Sequence, residues 1–258
     1  MRLEDDTPPP GVIPEIYPKN PPVNLLNEPA LHRPSNFFAV EGIDGAGKSM
    51  LIAEVSRICS AKAVPIRVLK LGRSDVTAHA LERAKWMNSN PMTFSLLNWV
   101  SVYEQVTQAS ADFNTNALVF FDRYVLTIKV RGVLEGLSTA FMDLIELQLP
   151  RPRKLFLIDC DPEICCRRIL DGRRGVTYFE AGSRIVGGLG EPMIERDPNA
   201  RRSGVARVDG LLVHLRRMRD GLFKLAEHYD NVVIIENSGA PERAVETLVG
   251  ELGLAKRN

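Results

Sequence analysis

The chain has 258 residues, 45% apolar and 25% charged, and its 33 basic and 32 acidic side chains leave a net charge of +1. That balance belongs to an ordinary globular protein and excludes wholesale disorder, a coiled coil and a partner recognised by overall charge alone. No run reaches 18 continuous apolar residues, so a membrane-spanning helix and a membrane partner are not expected.

Nine of the 17 prolines fall in the first 34 residues. Proline removes a backbone donor and biases its predecessor away from helix, so residues 1–35 read as an arm that forms neither a sheet strand nor a long helix. Val12, Ile13, Ile16, Tyr17, Val23, Leu25 and Leu26 give this arm enough apolar surface to pack on the domain or on a second subunit. A basic start with an apolar stretch is missing, and Glu4, Asp5 and Asp6 argue against a transit peptide.

From residue 36 onward short apolar runs alternate with amphipathic helical stretches. Strands are expected over 37–40, 66–71, 117–121, 155–159 and 232–236. Helices are expected from 48 to about 63, in two stretches within 77–112 separated by Pro91, over 126–148, over 162–170 opened by Pro162, from about 208 to 228, and over 241–252. Strands that are nearly all apolar and alternate with helices predict a parallel sheet of about five strands covered on both faces: a three-layer α/β/α sandwich using residues 36–258 as one domain. Four cysteines (Cys59, Cys160, Cys165 and Cys166) form no zinc spacing or disulfide framework in a chain of this length and read as free, packed thiols of a cytoplasmic protein.

The sharpest signal is Gly42, Ile43, Asp44, Gly45, Ala46, Gly47, Lys48 and Ser49, which fits G-x-x-x-x-G-K-[ST] in full, directly after a strand and opening a helix. Its glycines turn successive N–H groups around phosphate oxygens and the helix N-terminus adds positive charge. Lys48 reaches the outer phosphates and the Ser49 hydroxyl can ligate magnesium. This predicts a P-loop fold that binds ATP with Mg2+. A second apolar strand ends in Asp122, at the sheet edge where open α/β folds bind ligands, and supplies an acid for the metal; Arg123 brings a phosphate-binding cation to the same edge.

Twelve arginines and no lysine lie between residues 167 and 219, against six acids. Arg216, Arg217 and Arg219 read as a solvated helix face. Arg168, Arg173 and Arg174 lead into a glycine-bearing loop, about 171–206, suited to closing over a nucleotide as a lid and neutralising the transferred phosphoryl group. With five acids and three bases in the arm, the remainder of the chain carries a net charge of +3.

The stretch 38–49 resembles the opening of thymidylate kinases, and Asp122-Arg123-Tyr124 is similar to the DRY motif of that family. Tyr178-Phe179-Glu180 resembles the end of its lid signature, and Glu104-Gln105-Val106 lies where its substrate-side helix carries a similar run. The resemblance spans about residues 36–253. It implies reversible transfer of the ATP γ-phosphoryl to a nucleoside monophosphate, with magnesium, by a homodimer. By that resemblance Asp44 contacts the sugar or phosphate region of the acceptor, Arg123 holds the acceptor phosphate with help from Arg73, and Asp122 and Tyr124 complete the substrate side. Ser49 and Asp122 organise magnesium. The P-loop lacks arginine, so the transition-state cation is expected from Arg168, Arg173 or Arg174.

Three departures bear on the acceptor. The phenylalanine and arginine that the family directs at thymine are replaced by Asn98 and Val102, leaving Trp99 or Tyr103 as aromatic alternatives. Thr177-Tyr178 stands where an Asp-Arg pair usually precedes the lid motif, and 183–206 is an insertion with four glycines. The expected acceptor is therefore dTMP or a modified pyrimidine nucleotide. A deoxynucleoside or a modified base in DNA is the alternative, with the arginine-rich insertion as a DNA contact that is not favoured. A non-catalytic nucleotide-binding module is the third reading.

Overall fold

Strands form where the all-apolar runs lie, and helices where apolar residues recur at helical spacing. The computed structural model describes residues 33–87, 89–172 and 204–254. Its elements are β1 (Phe37–Glu41), α1 (Lys48–Ala61), β2 (Ile66–Lys70), α2 (Ala78–Trp86), α3 (Pro91–Gln108), β3 (Leu118–Asp122), α4 (Val125–Leu134), α5 (Thr139–Glu146), β4 (Lys154–Asp159), α6 (Pro162–Gly172), α7 (Gly204–Ala226), β5 (Val232–Glu236) and α8 (Pro241–Glu251), with one 3-10 turn at Ser110–Asp112. The five strands form one all-parallel sheet in the order β2-β3-β1-β4-β5. Helices cover both sides: α1 packs beside α8, while α3, α4, α7 and α6 form a continuous run of neighbours. This is the P-loop α/β architecture expected from the motif order.

The central strands are buried on both faces, which explains their unbroken apolar character. Phe38 stacks between Phe120 and Phe156, with ring centroids 5.4 and 6.0 Å away, so one aromatic row ties β3, β1 and β4 together. Burial of each ring contributes about 2 kcal/mol. Because every strand runs the same way, the residues that follow β1 and those that end β2, β3 and β4 all gather at one carboxyl edge.

One expected helix divides. The stretch 126–148 forms α4 and α5, separated by a turn in which Gly136 adopts φ +83°. Gly132 makes the fold-back possible, since a Cβ there would meet the Met142 sulfur at 2.5 Å. The helical period continues through this stretch, but its two glycines let α5 pack against the side of α4. The four cysteines are buried and unpaired.

Candidate active site

The backbone of the loop between β1 and α1 is shaped by its neighbours as well as by its glycines. Gly45 has φ +80°, and a Cβ on it would lie 2.6 Å from the Cys165 carbonyl of α6. Gly47 has φ +92° and passes against the Asn237 side chain, whose Nδ2 donates to the Ala46 carbonyl at 2.7 Å. The first turn of α1 contains no acidic residue, so its N-terminal dipole is left for an anion. Lys48 is buried and its Nζ donates to the Ile43 carbonyl at 2.7 Å, folded back across the loop. Burial, with Arg123 nearby, draws its ammonium down to about 7.

Across the loop, Ser49 Oγ donates to Asp122 Oδ2 at 3.0 Å. Asp122 Oδ1 is buried with no hydrogen-bond partner among the described residues. A hydroxyl and one carboxylate with an orphaned oxygen are hard-oxygen donors of the kind that fit magnesium, which takes few protein ligands beside water and phosphate. Lys70 Nζ also reaches Asp122, 3.1 Å from Oδ2.

Arg123 begins the acceptor side. Its backbone adopts φ +67° immediately after β3, a left-handed geometry that costs a non-glycine residue about 1 kcal/mol or more and recurs at functional sites. The turn sends the guanidinium back over the loop, where Nη1 donates to the Gly42 carbonyl at 3.2 Å and Nη2 to Asp44 Oδ1 at 2.5 Å. Burial works against the Asp44 carboxylate, but Arg123, Lys48 and Arg131 outweigh it and hold its pKa well below the usual range. Arg131 Nη2 lies 3.9 Å from Asp44 Oδ2, and Arg73 and Arg131 both act on Lys85. His214 of α7 faces the same cluster; burial and Arg131 push it down to about 4, and its Nδ1 is buried without a hydrogen-bond partner among the described residues.

Glu41 holds this arrangement from below. Its buried carboxylate accepts the N–H groups of Tyr124 (2.9 Å), Leu126 (2.9 Å) and Thr127 (3.4 Å) and the Thr127 hydroxyl (2.5 Å). It therefore satisfies the otherwise orphaned amides at the start of α4. Burial raises its pKa, opposed by Thr127 and Arg123. Tyr124 turns into the core: its hydroxyl donates to the Pro150 carbonyl at 2.9 Å and its ring packs on Phe37 and Phe121. That placement suits anchoring the Asp122–Arg123 turn.

The structure separates the arginines that the sequence grouped together. Arg168 lies behind the loop, donating to the Gly45 carbonyl (3.4 Å), the Cys160 sulfur (3.3 Å) and the Asn237 carbonyl (3.1 Å). Arg219 makes a two-pronged pair with Asp159 at 2.7 and 2.9 Å, and Arg216 pairs with Glu163 at 2.9 Å. These α7 side chains stay partly solvated, as the sequence suggested, while pairing with acids of β4 and α6. Arg173, Arg174, the motif at 178–180, the Thr177-Tyr178 pair and nearly all of 183–206 lie outside the described residues, as does the arm before residue 33.

Helix α3 supplies one wall of a small cleft lined by Phe94, Ser95 and Asn98, with Leu71, Arg131 and Glu135 opposite. Asn98 is buried and its Nδ2 donates to the Phe94 carbonyl at 2.8 Å. Val102 and Trp99 belong to the core, and Tyr103 is exposed on another face. The aromatic at the cleft is thus Phe94, one helical turn before Asn98. Sequence reasoning missed it, as it missed Glu41's capping role, Arg131 and His214. Phe94's helical spacing from Asn98 was the available signal. Gln105, noted only as part of a loose motif, clamps the β2 end: Oε1 accepts from the Lys70 N–H at 3.1 Å and Nε2 donates to the Lys70 carbonyl at 2.9 Å.

The strand order, the phosphate-binding loop and the acid at the end of β3 define a nucleotide-binding protein of the P-loop class. A family model described as thymidylate kinase matches residues 40–181, more than half of the chain. The chain belongs to the thymidylate kinase family. A search among curated proteins returned no match. Among the described residues, no helix is long and apolar enough to cross a membrane.

Proposed function

We propose that the protein transfers the γ-phosphoryl of ATP to a nucleoside monophosphate, dTMP or a modified pyrimidine nucleotide, with Mg2+. The observation that carries this reading is Arg123, turned by a left-handed backbone onto Asp44 beside the phosphate loop and accompanied by Arg131 and Lys48 around that one carboxylate. Such a cluster suits an acceptor that arrives with its own phosphate. An uncharged hydroxyl acceptor would leave these cations with less to bind.

In this reading the loop amides, the α1 N-terminus and Lys48 hold the donor phosphates, while Ser49 and Asp122 hold the metal. When bound, magnesium neutralises charge on the phosphoryl group being transferred. Arg123 and Arg73 bind the acceptor phosphate and Asp44 orients Arg123. The acceptor phosphate is already ionised, so the residues align two charged groups and exclude water, with no general base. Arg168 has its donors on loop carbonyls, which suits positioning of the loop; Arg173 and Arg174 then remain the candidates for the transition-state cation. Phe94, although almost fully buried, lines the cleft proposed for the base, and Ser95, whose buried Oγ has no hydrogen-bond partner among the described residues, offers a polar contact.

The base-side departures at Asn98 and Val102 favour one second reading, a kinase for another acceptor on this scaffold, such as a deoxynucleoside or a modified base in DNA. A homodimer is proposed as well, supported by Met92, Leu96, Val100 and Tyr103, which expose an apolar stripe along α3 at helical spacing. A cytoplasmic location is supported by the four unpaired thiols. We also retain the division into an arm over 1–35 and a kinase domain over 36–258. ADP release across a panel of deoxynucleoside monophosphates tests the function. Turnover with at least one pyrimidine monophosphate is expected, and no ADP release with any monophosphate overturns the proposal.

A further inference from the structure

Lys70 ends β2, Asp122 ends β3, and the parallel register pairs the two residues directly. Paired positions on neighbouring parallel strands send their side chains to the same face of the sheet, so the two groups stand side by side at the carboxyl edge. Lys70 Nζ lies 3.1 Å from Asp122 Oδ2 and 3.5 Å from Ser49 Oγ. An ammonium group therefore rests against both oxygen donors that fit magnesium. Its backbone is gripped by Gln105 at N–H and carbonyl alike. The side chain has more freedom: 47% of it is exposed, against 4% for Asp122. A swing of the lysine stem can vacate the position, whereas the carboxylate is fixed.

We propose that Lys70 is the resident cation of the metal position, neutralising Asp122 and donating to the Ser49 hydroxyl in the nucleotide-free protein and giving up that place when a divalent cation arrives with the nucleotide. The inference rests on the reading of Ser49 and Asp122 as metal ligands. A carboxylate this buried is strongly destabilised without a counter-charge, and register supplies one from the adjacent strand. The ammonium and a divalent cation repel each other, so both cannot occupy Asp122 Oδ2 and Ser49 Oγ together. It follows that the nucleotide-free protein binds free divalent cations weakly. Metal binding becomes favourable once nucleotide phosphates add negative charge at the loop. Lys70 thereby links metal occupancy to nucleotide occupancy.

The test uses Mn2+ as the probe and the full-length, nucleotide-free protein. Binding is followed by the electron paramagnetic resonance signal of the free ion in the parent, Lys70→Met, and Lys70→Met combined with Asp122→Asn. Lys70→Met is expected to bind Mn2+ about ten-fold or more tightly than the parent, the equivalent of one ion-pair term, and the double variant is expected to lose that gain. In EDTA, Lys70→Met should unfold at a lower temperature than the parent and recover when Mn2+ is added. Equal Mn2+ affinity in parent and single variant overturns the proposal, as does a gain that survives in the double variant. If Lys70→Met does not fold, Lys70→Gln keeps most of the stem without the charge and is read against the same outcomes. Equal affinities with intact ATP turnover would remove only the role of Lys70. A silent monophosphate panel with the Mn2+ contrast intact would remove only the kinase reading.

Discussion

Behind the phosphate loop, the arginines are committed to architecture. Arg168 bonds the loop to the end of β5, Arg219 grips Asp159 and Arg216 grips Glu163. Toward the acceptor side, Arg123 and Arg131, with Lys48 from the phosphate loop, all act on the single carboxylate of Asp44. The contrast shows that an arginine-rich composition does not by itself locate catalytic charge. A guanidinium spread across carbonyls and a paired acid holds elements together, whereas cations converging on one half-buried carboxylate suit a further anion.

The strongest way to break that contrast is to exchange the two kinds of cation. Lys48→Met is expected to lower kcat/KM by about a thousandfold, as for loss of one preorganised donor to a transition-state oxyanion, with unchanged circular dichroism. Arg219→Met should leave kcat unchanged and reduce stability by no more than about 1 kcal/mol, because its pair is partly exposed. Comparable kinetic losses in the two variants would erase the distinction between pinned and functional cations.

Glu41→Leu asks whether the acceptor side depends on its buried cap. Removing the carboxylate leaves several amides at the start of α4 without an acceptor, a loss of about 3 kcal/mol measured as a shift in the denaturation midpoint. An unchanged midpoint would show that the cap is dispensable. Arg131→Met is a smaller perturbation. It should raise the acceptor KM about ten-fold through loss of a charge-assisted contact, with the KM for ATP unaffected. A change confined to the ATP KM would place Arg131 on the wrong side of the comparison.

Protonation gives the finest test. Burial, with Arg123, holds Lys48 near 7, whereas an unfolded chain keeps that proton to about 10. Between those values the unfolded state binds more protons, so the nucleotide-free protein gains stability as pH rises above 7. Bound polyphosphate favours the charged lysine, so ATP binding at pH 8.5 should take up close to one proton, and at pH 6 almost none. Calorimetry in two buffers of different ionisation enthalpy reads this directly; heats independent of buffer at pH 8.5 would contradict it.

The phosphate loop and the Asp122-Arg123 pair were legible in the sequence because their chemistry is local: a strand, a few contiguous residues, a helix. The parallel, five-stranded sheet was legible in the same alternation of strand and helix, but its order β2-β3-β1-β4-β5 was not. Glu41 lies inside the recognised stretch, but its role depends on Tyr124, 83 positions away, and no local pattern announces that. Gln105 and Lys70 meet only because α3 packs across the end of β2. Arg131 and His214 sit on helices whose periodicity marks a face but not what that face meets across the cleft. The break between α4 and α5 escaped for a related reason, since helical spacing persists through a turn that glycine makes possible.

The central claim, that the acceptor side is built for a substrate already carrying phosphate, is tested most directly by a matched pair. The measurement is kcat/KM for one pyrimidine deoxynucleoside and for its own 5′-monophosphate, with ATP and Mg2+ held saturating. The account predicts a preference for the monophosphate of at least about a hundredfold, the scale of two charge-assisted contacts. Equal rates, or turnover of the nucleoside alone, would contradict it.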